Sequence, residues 1–154
     1  MKLSLTRRYS FPASHRLFRA DWSDEENRCV FGKCANPYGH GHNYAVEISV
    51  TGQIDPNTGM IVNLIELDDF VRTHVLNDFD HANLNQQVPE FRDCIPTTEN
   101  LCRVIFNRLQ GFSLATVERV RIEETAKNSF EYVVERAHAR ESMQQEFAEE
   151  HSSI

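Results

Sequence analysis

Two segments in the first third of the chain alternate apolar and polar residues, which is the pattern of a strand buried on one face. The first covers residues 2–11, and the second starts at Tyr44 and stops before the turn sequence Asp-Pro-Asn-Thr-Gly at 55–59. The apolar members are Leu3, Leu5, Tyr9 and Phe11 in the first segment, and Tyr44, Val46, Ile48, Val50 and Ile54 in the second. Because side chains alternate between the two faces of a strand, both segments are expected in a sheet that is covered on one side.

The apolar period changes to that of a helix after residue 63. One stripe is formed by Leu64, Leu67, Phe70, Val71, Val75 and Leu76. A second helix follows the segment 96–100, with Thr97 or Thr98 as its predicted N-cap, and strand patterns return over 117–124 and 129–135. The order β-β-α-α-β-β predicts an α+β fold, in which two helices cover one face of a largely antiparallel sheet. The exposed edges of that sheet favour oligomerisation.

Length and charge limit the classes of partner. A chain of 154 residues suits one domain, which we place at residues 1–136, followed by a helical or disordered extension over 137–154 that is rich in Glu, Gln and Ser. The formal charge of -7 argues against nucleic-acid or membrane binding. The N-terminal residues lack the pattern of a secretory leader, so we expect a cytoplasmic protein whose four cysteines are mostly free thiols or metal neighbours.

The segment Cys34-Ala-Asn-Pro-Tyr-Gly-His40-Gly-His42 presents a thiol and two imidazoles at the start of the second strand. If strand geometry extends to them, His40 and His42 point to the same side. His15 shares the parity of the first strand's apolar face and can add a third nitrogen if the two strands pair. Three imidazoles suit Zn²⁺ and leave a fourth position open for substrate or water. The alternative is that these histidines are ordinary surface or hydrogen-bonded core residues.

Three further groups are candidates for chemistry. Three roles are open for Cys34. It is a fourth metal ligand, or an inert buried thiol, or a base or nucleophile whose thiolate is stabilised by a nearby cation. Asp80 can fix the tautomer of its neighbour His81 and stabilise the protonated imidazole. Glu124 falls on the apolar side of its predicted strand, where a carboxylate needs hydrogen-bond donors or a bound ligand.

Short motifs follow one another in order from about Leu3 to Tyr132. They are Phe11-Pro-Ala-Ser-His15, Trp22-Ser-Asp-Glu-Glu-Asn27, Phe31-Gly-Lys-Cys34, Asn36-Pro-Tyr-Gly-His40-Gly-His42-Asn-Tyr44, Ile54-Asp-Pro, Thr58-Gly-Met60, Asp80-His81, Pro96-Thr-Thr-Glu-Asn100 and Glu124-Thr125. In this order the motifs closely resemble those of the 6-pyruvoyl-tetrahydropterin synthase family.

The resemblance implies a tunnelling fold (T-fold), in which trimers of the β-β-α-α-β-β unit close a β-barrel and two trimers stack into a homohexamer. It also implies the role of each site residue. Zinc would be bound by His15, His40 and His42. The catalytic group would consist of Cys34 as the proton acceptor, Asp80 and His81 from a neighbouring subunit, and Glu124. The pterin would be anchored by Glu124, with Thr98 and Glu99 nearby.

The reaction that the resemblance implies starts from 7,8-dihydroneopterin triphosphate and gives 6-pyruvoyl-tetrahydropterin with elimination of triphosphate, a step of tetrahydrobiopterin biosynthesis catalysed by a phosphorus-oxygen lyase. The redox change is internal, in agreement with the lack of a Gly-x-Gly-x-x-Gly fingerprint for nicotinamide or flavin. Arg16, Arg19, Lys33 and Lys127 are candidates for binding the triphosphate, although each could equally be an ordinary surface charge.

Two alternative functions stay open. The sister family, 6-carboxy-tetrahydropterin synthase of the queuosine pathway, uses the same substrate and zinc triad but typically has a shorter Cys-x3-His-x-His motif. The Cys-x5-His-x-His spacing of this chain, together with the presence of the segment 22–36, favours the pyruvoyl product. The second alternative is a noncatalytic, zinc-stabilised oligomeric binding protein.

Overall fold

The two alternating segments form a long antiparallel hairpin. In the structure, a computed structural model that describes residues 3–134, β1 spans Leu3–His15 and β2 spans His40–Gly52. Phe11 lies opposite Tyr44, and His15 lies opposite His40. β1 continues beyond the predicted alternation to His15, and β2 begins before it at His40. The candidate histidines of both strands therefore lie within the sheet. The predicted extension over 137–154 lies outside the described residues.

Three more strands complete the sheet. β3 (Ala82–Asn83) pairs parallel to β1, β4 (Thr116–Thr125) pairs antiparallel to β2, and β5 (Asn128–Val133) forms a hairpin with β4. The strand order is β3-β1-β2-β4-β5. The predicted α+β class is confirmed, with the addition of the parallel β3, which is too short to have a recognisable period.

The two predicted helices are both present. α2 (Leu64–Val71) continues through a π-helical turn (Arg72–Leu76) into α3 (Asn77–Phe79). α5 covers Thr98–Leu109 and is capped by Thr97, whose side chain accepts a hydrogen bond from the backbone N–H of Asn100. Thr97 is therefore the N-cap, one of the two residues predicted for that position.

Shorter helical elements occupy the connections. They are α1 (Asp24–Phe31), a 3₁₀ turn (Gly32–Ala35), α4 (Leu84–Gln87) and a second 3₁₀ turn (Pro89–Arg92). The sequence analysis did not identify α1 as a helix. Its signal is a capping box, in which Ser23 and Glu26 satisfy each other's backbone N–H groups at the helix start.

The core lies between one face of the sheet and the helices. It includes Phe11, Tyr44, Val46, Ile48, Phe79, Leu101, Ile105, Val120 and Ile122, each no more than 1% exposed. The opposite face of the sheet carries ion pairs, such as those of Arg8 with Glu47 at 2.8 Å and with Glu123 at 2.5 Å. This contrast between the two faces explains the alternation in the sequence. Within residues 3–134, no helix combines the length and apolar character needed to cross a membrane.

Candidate active site

The end of β1, the start of β2 and the end of β4 meet at one end of the sheet. Antiparallel pairing brings His15 opposite His40, and it brings Glu123 opposite Ala45. The turn before β2 requires glycine, because Gly39 has a φ of +68° and a Cβ there would lie 2.7 Å from the backbone oxygen of His15. This close approach sets the spacing between β1 and the residue that begins β2.

The three candidate imidazoles converge through their Nε2 atoms. Nε2 of His40 lies 3.3 Å from Nε2 of His15 and 2.9 Å from Nε2 of His42. Two nitrogens bound to one tetrahedral zinc ion at the usual bond length are about 3.3 Å apart. The spacing therefore fits a single metal ion between the three rings.

The surroundings of the rings favour the form that binds a metal. Nδ1 of His15 lies 2.8 Å from the carbonyl oxygen of Pro96 and donates to it, which leaves the Nε2 lone pair available. Burial lowers the pKa of both His15 and His40, so both are neutral at neutral pH. Nδ1 of His40 is buried without a hydrogen-bond partner among the described residues. Three imidazole nitrogens, with His15 and His40 in the neutral form, fit the binding of a divalent cation.

Cys34 is beside this cluster. Its Sγ atom lies 3.7 Å from Nε2 of His40, and the ligand atoms of His15, Cys34 and His40 are all within 4.8 Å of one another. Burial, with a smaller contribution from the charge of Glu124, raises the pKa of the thiol. The position of the sulfur suits a fourth ligand and suits a base acting on a molecule held at the cluster.

Glu124 is the extra residue of a β-bulge, because β4 has one more residue than β5 between Glu123 and Thr125. Its Oε1 atom accepts a hydrogen bond from Oγ1 of Thr98 at 2.7 Å, and its Oε2 atom accepts one from Nδ2 of Asn128 at 2.9 Å. Burial disfavours the charged form, but these hydrogen bonds outweigh it and hold the pKa below its usual value. Glu124 is therefore an ionised, oriented acceptor.

The carboxylate is also close to the imidazoles. Oε1 of Glu124 lies 3.7 Å from Nε2 of His42 and 4.0 Å from Nε2 of His15. Thr98 is buried at the start of α5, whereas Glu99 is exposed on the next position of the same turn. No hydrogen bond joins Glu99 to the site within the described chain.

Asp80 and His81 form a pair outside the cluster. Nδ1 of His81 lies 2.8 Å from Oδ1 of Asp80, and both side chains are at least half exposed. His81 has a φ of 59°, and its backbone N–H donates to the carbonyl oxygen of Pro12. His81 and His42 line one shallow cavity of about 300 Å³. Within residues 3–134 the pair does not contact the three imidazoles.

Sequence reasoning missed three participants. Asn128 orients Glu124, the carbonyl of Pro96 orients His15, and the hydroxyl of Tyr44 lies 3.4 Å from Nδ1 of His15. A backbone carbonyl has no residue signature. Asn128 was recognisable only as a turn residue four positions after a carboxylate.

Known proteins are similar to this chain over most of its length. The family model described as 6-pyruvoyl tetrahydropterin synthase matches residues 4–135. A 6-pyruvoyl tetrahydrobiopterin synthase of Poecilia reticulata is 47% identical over 129 residues, which cover 83% of this chain and 88% of the relative. The human protein of the same name is 45% identical and covers 83% of this chain and 89% of its own length.

A solved structure shows the same fold. The 6-pyruvoyl tetrahydropterin synthase of Caenorhabditis elegans is 37% identical and superposes with a TM-score of 0.82, over 88% of this chain and 97% of that one. The residues matched by the family model, 4–135, include all of the site residues described above. The chain therefore belongs to the 6-pyruvoyl tetrahydropterin synthase family.

Proposed function

We propose that this chain converts 7,8-dihydroneopterin triphosphate to 6-pyruvoyl-tetrahydropterin and triphosphate, with Zn²⁺ bound by His15, His40 and His42. The observation that carries the proposal is the convergence of three Nε2 atoms, 2.9 and 3.3 Å apart, beside an ionised carboxylate. Relatives whose alignment covers more than four fifths of the chain carry the synthase name, which supports a lyase of tetrahydrobiopterin biosynthesis.

Glu124 is the proposed anchor for the pterin ring. Its two oxygens can accept hydrogen bonds from the 2-amino group and the adjacent ring N–H, a planar pair of donors that matches a carboxylate. Thr98 and Asn128 each hold one oxygen in place. Because Oε1 of Glu124 is 3.7 Å from Nε2 of His42, an anchored pterin extends its side chain toward the imidazoles.

Proton removal from the side chain is assigned to Cys34. When bound, Zn²⁺ supplies a Lewis acid that acidifies the C–H bonds next to the substrate's hydroxyl groups. Burial raises the pKa of the Cys34 thiol, and the charge of a bound Zn²⁺ would offset that effect. The sulfur, 3.7 Å from Nε2 of His40, is then in position to take such a proton as a thiolate. Oxidation of the side chain is balanced by reduction of the ring, so no external oxidant is needed.

Asp80 and His81 are assigned to proton relay. Their 2.8 Å contact is the arrangement in which a carboxylate orients an imidazole. Since the pair is exposed and separate from the cluster within one chain, we propose that it reaches the site of a neighbouring subunit in a homohexamer. A cytoplasmic location, supported by four free cysteines, completes the proposal.

Product identification tests this function. Zinc-loaded protein incubated with 7,8-dihydroneopterin triphosphate should release one triphosphate for each 6-pyruvoyl-tetrahydropterin, measured by chromatography and mass spectrometry. The Cys-x5-His-x-His spacing supports this product over the carboxy product of the sister family. Carboxy-tetrahydropterin with acetaldehyde would contradict the proposal. Full zinc occupancy without turnover would instead indicate a noncatalytic binding protein.

A further inference from the structure

A cavity of about 680 Å³ opens beside the imidazole cluster. It is lined by Arg28, Gly32, Lys33, Asn36, Pro37 and His40. Since His40 is one of the proposed ligands, the cavity borders the proposed metal centre. Its lining contains two cations and no carboxylate, which is the composition of an anion site.

The two cations in this cavity lack the partners that most others have. Within residues 3–134, carboxylates lie within 4.0 Å of Arg7, Arg8, Arg16, Arg19, Arg72, Arg108, Arg119 and Arg121. In the same part of the chain, neither Arg28 nor Lys33 forms an ion pair. Two uncompensated cations at one cavity are notable in a chain with a net charge of -7.

The other cations considered for an anionic tail are placed differently. Nε of Arg16 donates to the carbonyl oxygen of Ala35, and Arg19 makes two hydrogen bonds to the carboxylate of Asp21. Lys127 lines a separate cavity of about 190 Å³ at the β4–β5 turn. Of the four cations proposed from the sequence, Lys33 is the one that lines the cavity with His40. Arg28 was not among those four.

The direction of the substrate follows from the two sides of the cluster. Glu124 is beside His42 and His15, whereas the cavity is on the side of His40. A substrate whose pterin is held by Glu124 and whose hydroxyls reach the imidazoles therefore has its far end at this cavity. We propose that Arg28 and Lys33 bind the triphosphate group of the substrate, an assignment that rests on the proposed function.

The cations also suit the chemistry of elimination. As the base takes a proton from carbon, the electron pair of that C–H bond forms a C=C bond, and the C–O bond to triphosphate breaks with its electrons passing to the leaving oxygen. The bond cleaved is therefore carbon–oxygen, and the phosphorus-oxygen lyase named from the sequence is wrong in that respect. Negative charge grows on triphosphate in that step. Arg28, in the last turn of α1, and Lys33, in the following 3₁₀ turn, are placed to stabilise it.

Binding of inorganic triphosphate to the zinc-loaded protein tests the assignment without turnover. Calorimetric titration should show that Arg28→Met and Lys33→Met each weaken binding about tenfold, because each removes a charge-assisted contact but keeps an aliphatic stem. Arg103→Met removes the same charge from the exposed surface of α5 and should bind like the wild type. Zinc content and melting temperature should be unchanged in all three variants.

The double variant Arg28→Met/Lys33→Met gives the decisive comparison. We expect its KM for 7,8-dihydroneopterin triphosphate to rise about a hundredfold, the combined effect of two such contacts. Unchanged triphosphate affinity and KM would overturn the assignment and leave the proposed function intact. A weakening confined to Lys127→Met would also overturn it. An inactive wild type that binds triphosphate through Arg28 and Lys33 would contradict the proposed function and support the anion site.

Discussion

Cys34 is the residue whose two remaining roles, ligand and base, have the most different consequences. Replacing it with alanine should leave the zinc content unchanged while turnover falls about 10²- to 10⁴-fold, the usual contribution of a general base. Metal analysis and initial rates on the same preparation measure both quantities. Loss of zinc along with activity would identify the sulfur as a ligand. His42→Ala is the matched variant that should lose zinc.

Asp68 is a residue whose contribution to stability should depend on pH. Its carboxylate accepts hydrogen bonds from Arg7 at 3.0 and 2.7 Å and from the hydroxyl of Tyr9 at 2.8 Å. The Arg7 hydrogen bonds hold the pKa of Asp68 below its usual value. The stabilisation is therefore complete above the usual carboxyl pKa and is lost as the pH falls through the lower, folded-state pKa.

Asp68→Asn should accordingly melt about 2–4 °C below the wild type at pH 7, with the difference shrinking below about pH 4. Thermal unfolding at several pH values measures this effect. Asp69→Asn is the control, since within residues 3–134 the Asp69 side chain pairs only with exposed Arg72 and such pairs contribute little. A difference in melting temperature that grows on acidification would contradict the expected sign.

Residue types and parity predicted much of the site. His15, His40 and His42 were grouped because all fall on the apolar parity of their strands, and Glu124 was placed on the same face for the same reason. The hydrogen bonds to these groups were beyond sequence reasoning, because Pro96 reaches His15 from 81 residues away and Asn128 reaches Glu124 only through the local geometry of the β4–β5 turn. Arg28 was missed for a similar reason, since only the fold of α1 brings it to the His40 cavity.

Among the elements, the turn before β2 has the most direct effect on the site. Gly39→Ala would place a methyl group 2.7 Å from the backbone oxygen of His15, in a backbone conformation that alanine avoids. Because β1 and β2 must then separate at His15 and His40, we expect zinc affinity to fall about tenfold, a modest strain of 1–2 kcal/mol. Competition with a zinc chelator measures the affinity.

Gly59→Ala provides the comparison for that effect. Gly59 also has a positive φ, 72°, but a Cβ there would meet nothing within 4 Å. It should lower stability by about 1 kcal/mol through backbone strain and leave zinc affinity unchanged. Equal zinc affinities in the two variants would mean that the turn does not control the distance between the histidines.

Element prediction succeeded where a period was long and failed where elements were short. The alternation of β1 and β2 and the stripe of α2 each cover several turns or pleats, so their types were correct. The alternation stopped at Phe11 because Pro12 and Ala13 weaken it, yet β1 continues to His15. The stripe from Leu64 to Leu76 predicted one regular helix, but α2 ends at Val71 and the rest of the stripe lies in a π-helical turn that no simple period reveals.

For the whole molecule, the edges of the sheet predict assembly. Edge strand β5 and the residue after it carry exposed Tyr132, Val133 and Val134, an apolar edge that a monomer would leave in water. We expect the purified chain to sediment as a hexamer with six times the subunit mass of 17.8 kDa. A single species at the subunit mass would contradict this expectation.

Subunit mixing tests whether one active site draws on two chains. Cys34→Ala and His81→Ala should each be nearly inactive alone, but co-refolded mixtures should regain a fraction of wild-type activity if His81 serves a neighbouring subunit. Each variant refolded with itself is the control. Mixtures that stay inactive although hybrid oligomers have formed would place both residues in the site of one chain.

The distribution of site residues along the chain also orders events during synthesis. The three imidazoles are complete once His42 has left the ribosome, whereas Glu124 and its partner Asn128 emerge near the end of the described chain. The Pro96 carbonyl that orients His15 appears between these two points. A nascent chain can therefore present all three metal donors before it has made the carboxylate that would hold a pterin.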